Sequence, residues 1–261
     1  MHNSQLFWTT FGRPSYNMYK TIVNCELKAG VFMDYILQGF KEAINLIMTF
    51  DPEVFEIVLI SLFVSMTATI LASFFIIPLG VYLGINKFRG KRMVSRIIYT
   101  SMSIPTVIVG LLVAIILSRR GPLGYLDLMY TPKAMIIAQT LLLIPLVLGL
   151  TYSLAKNRGL NIARVAFTLG GSKFDSTVLI IKELKVDIMV NVATAFSRAI
   201  SEVGAVMIVG GNIKGHTRVI TTTISMMNSM GDYPMAIALG IILLIISFLI
   251  NSFIYSYGQE D

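Results

Sequence analysis

Beyond residue 56, long stretches without any charge alternate with short stretches where charges crowd together. The uncharged runs are 57–86, 97–118, 134–155, 188–213 and 233–259, the fourth interrupted only by Arg198 and Glu202. A helix needs about 20 apolar residues to cross the hydrocarbon core, so this pattern predicts five transmembrane helices. Pro105 lies inside the second run and Pro145 inside the third. Both runs are expected to continue as helix, because neighbouring helices can satisfy a carbonyl freed by an internal proline. Upstream, Tyr35, Ile36, Phe40, Ile44, Ile47 and Met48 recur at helical spacing and predict an amphipathic helix on the membrane surface over 34–50. Asp51 followed by Pro52 is an N-cap and N1 pair that starts the next helix. The segment 219–231 is uncharged but too short to span. Thr221, Thr222, Thr223, Ser225 and Asn228 give it a polar side, which suits a helix in the mouth of the bundle or dipping into it.

Composition agrees with an all-α integral membrane protein. Hydrophobic residues make up 55% of the chain, charged residues only 13%, and the mean hydropathy is +0.76; soluble domains carry about 25% charged residues. The net charge of +7 does not indicate nucleic acid, because the basic residues are interleaved with the spans. They report topology instead. The first connection holds Lys87, Arg89, Lys91, Arg92 and Arg96, and the third holds Lys156, Arg158, Arg164, Lys173, Lys182 and Lys185. The second and fourth hold only Arg119, Arg120, Lys133, Lys214 and Arg218. The excess places the first and third connections in the cytoplasm, the N-terminus outside and the C-terminus, ending Glu260 and Asp261, inside.

Chemistry of other kinds is sparse. Cys25 is the only cysteine, and His2 and His216 lack ligand spacing, so no disulfide or metal site is expected. The closest approach to a P-loop, Gly84 to Arg92, has the wrong spacing and ends in arginine. No ATP site, cofactor or catalytic set follows from the sequence. Residues 1–32 are polar and contain no apolar run resembling a signal peptide.

Water-facing chemistry concentrates in residues 161–187. Ala163, Ala166, Phe167, Gly170 and Phe174 would form a small, apolar stripe on a helix, beside a basic face holding Arg164 and Lys173. Either this is a loop helix with a satisfied apolar face, or the stripe is offered to a partner. The segment resembles the coupling loop of binding-protein-dependent ABC importer permeases, whose pattern is Glu-Ala-Ala, three residues, Gly, and later Ile-x-Leu-Pro. Arg164, Val165 and Ala166 stand at Glu-Ala-Ala, Thr168, Leu169, Gly170, Gly171 and Ser172 match the following core, and Ile180 falls at the isoleucine. Arg164 replaces the acid, and Lys182 and Glu183 replace Leu-Pro. The resemblance implies the five-helix core of a type I permease over 33–261, with a coupling loop at 161–185. Arg164, Ala166, Thr168, Leu169, Gly170, Gly171, Ser172 and Phe174 would dock on a separate ATPase subunit that uses the ATP. Because members of the family begin near Met33, residues 1–32 would be a disordered extension or a misassigned start.

In the fourth span, Arg198 and Glu202 are four residues apart and share a helix face. Ionisable groups at membrane depth must pair or face water, so the two either fix helix packing or serve a pathway. Ser201 and Gly204 extend that surface, and Gly210, Gly211 and Asn212 read as a helix end. This stretch resembles permeases for tetrahedral oxyanions, especially tungstate importers, then those for molybdate and sulfate. The resemblance implies a prokaryotic inner-membrane homodimer supplied by an extracytoplasmic binding protein. Arg198, Ser201, Glu202, Gly204 and Thr221–Thr223 are the pathway candidates. The alternative is a self-sufficient ion- or proton-coupled secondary transporter or channel, with Arg198 and Glu202 coupling the ions.

Overall fold

The computed structural model describes residues 16–259, with side chains over 33–256. His2, Cys25, Glu260 and Asp261 therefore lie outside the described side chains. Among the described residues the secondary structure is helical, without a strand. Helix α1 (Tyr16–Thr49) leads into α2 (Pro52–Ile85), α3 (Lys91–Ser101), α4 (Thr106–Leu117) and α5 (Pro132–Leu154). A π turn, Ala155–Gly159, joins α5 to α6 (Leu160–Thr168). Then follow α7 (Lys173–Glu183), α8 (Lys185–Ile200), α9 (Gly204–Gly210), α10 (Ile220–Met230) and α11 (Tyr233–Gln259).

Helix α2 starts where the sequence predicts, with the Asp51 carboxylate accepting from the Glu53 and Val54 amides at 3.0 Å each. Thr131 and Pro132 open α5 in the same way, the Thr131 hydroxyl accepting from the Ala134 amide. Three helical stretches are long and apolar enough to cross a membrane uninterrupted: Pro52–Ile85, Pro132–Thr168 and Tyr233–Ser256. Two further helix pairs have the composition of a span but are bent, α3 with α4 by 91° and α8 with α9 by 56°. Counting each pair as one crossing gives the five expected from the sequence.

The expectation that both internal prolines would be carried through is half right. Pro145 lies inside α5, and Pro78 inside α2. Pro105 instead ends the helical path and caps α4 at φ −60°, ψ 131°. The difference lies in its neighbours. Ser101 donates to the Ile98 carbonyl, while the Ser103 and Ile104 amides close short turns onto Thr100 and Ser101, giving the backbone an alternative to the α-helix before the proline.

Small side chains recur through the centre of the bundle, among valines and leucines. Ala68 and Ala72 of α2, Ala134 and Ala138 of α5, Ala195 and Ala199 of α8 and Ala205 of α9 are all buried in one cluster. Without a hydrophobic force between helices in lipid, close backbone approach through small residues is what holds such a bundle together. Helix α1 is three-sided. Gly39, Ala43 and Leu46 pack on α11, while Leu37, Phe40, Ile44 and Met48 are exposed along one flank and Gln38, Lys41, Glu42 and Asn45 lie along another. One flank for lipid and one for water is the pattern of an interfacial helix, as predicted for 34–50. The helix starts at Tyr16, earlier than that prediction. Helix α10 dips into the bundle, its first amide, from Ile220, donating to the Ser61 hydroxyl of α2 at 2.9 Å.

The two bent pairs touch where Gly110 of α4 meets Ala205 of α9; a Cβ added at Gly110 would lie 2.6 Å from the Ala205 Cα. Gly110→Ala should therefore destabilise the protein by about 1–3 kcal/mol. The same change at Gly240, where a Cβ meets nothing within 4 Å, should leave stability unchanged or raise it. Thermal unfolding in detergent measures both, and equal midpoints for the two variants would contradict the contact.

Candidate coupling segment and polar helix break

The candidate coupling segment is two helices and a turn, which corrects the single stripe expected from spacing. At the end of α6 the Gly171 amide donates to the Ala166 carbonyl at 2.9 Å and the Gly170 amide to the Phe167 carbonyl at 3.1 Å. This is a Schellman cap, and it puts Gly170 at φ +82°, a region that costs any residue with a Cβ. Ser172 then caps α7 in a reciprocal box. Its hydroxyl accepts from the Asp175 amide at 3.2 Å, and the Asp175 carboxylate accepts from the Ser172 amide at 2.9 Å and from its hydroxyl at 2.6 Å. Those bonds from Ser172 hold the Asp175 carboxyl below its ordinary 3.8. The stabilisation is thus present at neutral pH and lost as pH falls through the lowered value. The Ser-x-x-Asp spacing of Ser172 and Asp175 is the sequence signal for this cap.

The turn at Gly170 resets the helical phase before Phe174, and within α6 only the alanines are buried, so the expected stripe divides. Ala163 and Ala166 are buried against the bundle, Ala163 in a cluster with Val81, Ile85 and Ile180. Phe167 and Phe174 are exposed, and with Val165 and Leu169 they form an apolar tip, Leu169 being 81% and Phe174 75% exposed. Arg164, Thr168 and Lys173 surround that tip, also exposed, with Arg164 reaching only the Asn161 side chain, at 3.4 Å. At the base of the segment the Arg158 guanidinium bridges to Asp187 at 2.7 Å, tying the π turn to the start of α8.

The second feature is the break between α8 and α9. Arg198 and Glu202 pair at 2.9 Å across one helical turn, as their spacing predicts, with the Glu202 side chain 2% exposed and that of Arg198 40%. Glu202 does more than pair. Its other carboxylate oxygen accepts from the Ala205 amide at 3.1 Å, capping α9, and its carbonyl accepts from the Thr221 hydroxyl at 2.8 Å. Gln139 of α5 donates to the Ala199 carbonyl at 3.1 Å. That glutamine went unnoticed in the sequence, although a lone amide within an uncharged run was a signal.

The structure thus brings Arg198, Glu202, Gly204 and Thr221 together. Ser201 is exposed beside them, its hydroxyl donating to the Arg198 carbonyl at 3.2 Å. Gly204 sits against Thr106 and Val107 at the start of α4. The Arg198 side chain lines a cleft of about 300 Å³ with Ser101 and Thr106. Thr221, Thr222 and Thr223 are buried, and their hydroxyls are engaged within the chain. Thr222 donates to Asn212 at 2.9 Å and accepts from the Val219 amide, while Thr223 donates to the Val219 carbonyl. Gly211 and Asn212 have positive φ and end α9, as expected. Lys214 and Arg218 both bridge to Glu53, at 2.6 and 3.3 Å.

Residues 76–259 match the family of binding-protein-dependent transport system inner membrane components. The chain belongs to this family. The permease is 63% identical over 228 residues to the tungstate uptake system permease protein TupB of Peptoclostridium acidaminophilum, covering 87% of this chain and 100% of that one. It is 38% identical over 221 residues to the protein of the same name from Campylobacter jejuni, covering 85% and 92%. Similarity to the sulfate transport system permease protein CysT of Salmonella typhimurium is lower, 26% over 207 residues, covering 77% and 75%. The chain is therefore a multi-pass ABC permease subunit and not an enzyme, and in such systems ATP hydrolysis belongs to a separate ATPase.

Glu202 gives this permease a measurable weak point. Glu202→Ala leaves the arginine unpaired and uncaps α9, and should cost about 3 kcal/mol, the low end for a broken buried pair because Arg198 is part-exposed. Adding Arg198→Ala should recover part of that loss. Unfolding midpoints of both single variants and the double variant give the coupling, and strictly additive losses would contradict the pairing.

Proposed function

We propose that this permease carries a tetrahedral oxyanion into the cell, with tungstate ahead of molybdate or sulfate. It works as a homodimer with a cytoplasmic ATPase and an extracytoplasmic binding protein. The observation that carries the reading is the likeness to a tungstate uptake permease along that protein's whole length. The basic residues of the first and third connections support an inner membrane location with the coupling segment in the cytoplasm, the N-terminus outside and the C-terminus inside. The apolar tip at Val165, Phe167, Leu169 and Phe174 suits docking in a cleft of the ATPase, with Gly170, Gly171 and the Ser172 box fixing its shape.

The anion route is proposed between two copies of the chain. A dianion needs donors or cations throughout the hydrocarbon, and one protomer offers a single part-exposed arginine at that depth. Arg198, Ser201 and Gly204 line the route, with Glu202 restraining the arginine so that it attracts the anion without trapping it. Thr221, Thr222 and Thr223 form the wall behind these residues. The secondary-transporter alternative fits less well, because Glu202 is enclosed and fully engaged.

Reconstitution with the ATPase and binding protein tests this reading. Tungstate uptake into proteoliposomes should require ATP and both partners. Gly170→Leu, which strains the turn in open space, should abolish uptake while costing the permease no more than about 2 kcal/mol of stability. Uptake by the permease alone under an ion gradient would overturn the reading, and wild-type transport by the glycine variant would overturn the coupling assignment.

A further inference from the structure

At the end of the bundle that carries the candidate coupling segment lies a second charged feature, apart from the Arg198–Glu202 break. Helix α3 is bent 91° from α4 and lies across the end of α5. Both of its ends reach Tyr152: the Lys91 ammonium is 5.8 Å from that ring, and the Tyr99 ring is 6.3 Å away, edge-on. Ile98 faces inward and is buried. On the outer side two stripes run in parallel, Arg92 with Arg96, and Met93 with Ile97, the last two 68% and 57% exposed. A crosswise helix with a basic stripe beside an exposed apolar one is built for a headgroup boundary.

The same helix borders an open cleft of about 1250 Å³, lined by Lys87, Lys91, Arg92, Arg96 and Lys156, with Phe88 and Tyr152 among its walls. Lys91 donates to the Gly84 and Asn86 carbonyls and finishes α2. Among the described residues no carboxylate pairs with Lys87, Arg92, Arg96 or Lys156. Four cations around one cleft repel each other until an anion joins them. Planar guanidinium groups suit phosphate oxygens. A free oxyanion would meet the same cations but would leave Met93, Ile97 and Phe88 uncovered, whereas a phospholipid covers them with its glycerol and acyl chains. The ATPase fits less well, since the apolar docking tip is on α6 and α7. We propose that this cleft binds the phosphate of an anionic phospholipid from the bordering leaflet, with Met93 and Ile97 set among the acyl chains.

The test is native mass spectrometry of the full-length permease, delipidated and then offered phosphatidylglycerol or phosphatidylcholine. Wild type should retain phosphatidylglycerol in preference. The double variant Arg92→Gln, Arg96→Gln should lose roughly thirtyfold in retention, at about one surface cation's attraction for each arginine. Arg92→Lys with Arg96→Lys should keep most of it, and Arg119→Gln with Arg120→Gln, in another connection, should change nothing. Equal retention of the two lipids would overturn the proposal, as would retention unaffected by Arg92→Gln, Arg96→Gln. Displacement of the lipid by millimolar inorganic phosphate would identify a free-anion site instead, and its release on assembly with the ATPase would identify a subunit contact. Neither result touches the transport reading.

Discussion

In hydrocarbon, a backbone group without a partner costs several kcal/mol, so a helix can break there only if its freed amides and carbonyls find partners within the protein. The α8–α9 break meets that condition through one side chain above all. Glu202 caps α9, holds Arg198 and lends its carbonyl to Thr221, while Gln139 takes the Ala199 carbonyl. An isolated carboxylate could not remain charged at this depth, and the arginine one turn earlier makes it tolerable. The pair, the cap and the position of α10 therefore depend on each other.

From this break the functional parts of the permease can be connected. Helix α8 runs from the base of the coupling segment, where Arg158 grips Asp187, to the Arg198–Glu202 pair. Its 16 residues span about 24 Å as one rod. The break in turn touches α4 twice, Ala205 against Gly110 and Gly204 against Val107, so one continuous packed path joins the base of that segment to α4. Part-exposed Arg198 and exposed Ser201 leave a polar patch on the protomer at membrane depth, which lipid does not cover well. In the proposed homodimer a second copy would face that patch and enclose water and anion with it.

Much of this architecture is legible in the sequence. Uncharged runs locate the crossings, Asp51 and Pro52 the start of α2, and the Thr168–Ser172 motif the turn between α6 and α7. The remainder depends on contacts that spacing does not encode. Pro105 and Pro145 look alike in the chain, yet only the first is flanked by serines that close competing turns, so one breaks a helix and the other does not. Helical periodicity assigned Phe167 and Phe174 to the same face as Ala163, but the left-handed Gly170 resets the phase before Phe174, while Phe167, in the last turn of α6, borders the buried face and is half exposed. The threonines of α10 were read as pathway donors from their polarity. Hydroxyls on a buried helix end satisfy the backbone first, and all three do so here or bond a neighbouring side chain.

The central claim, that the polar break faces its symmetry mate across the anion route, is tested most directly by crosslinking. With Cys25→Ser as background, Ser201→Cys should give a disulfide-linked dimer in native membranes in at least one transport state, and oxyanion-loaded binding protein should suppress it. Crosslinks forming only through the exposed face of α11, at Leu244→Cys or Phe248→Cys, with none at position 201, would contradict the account.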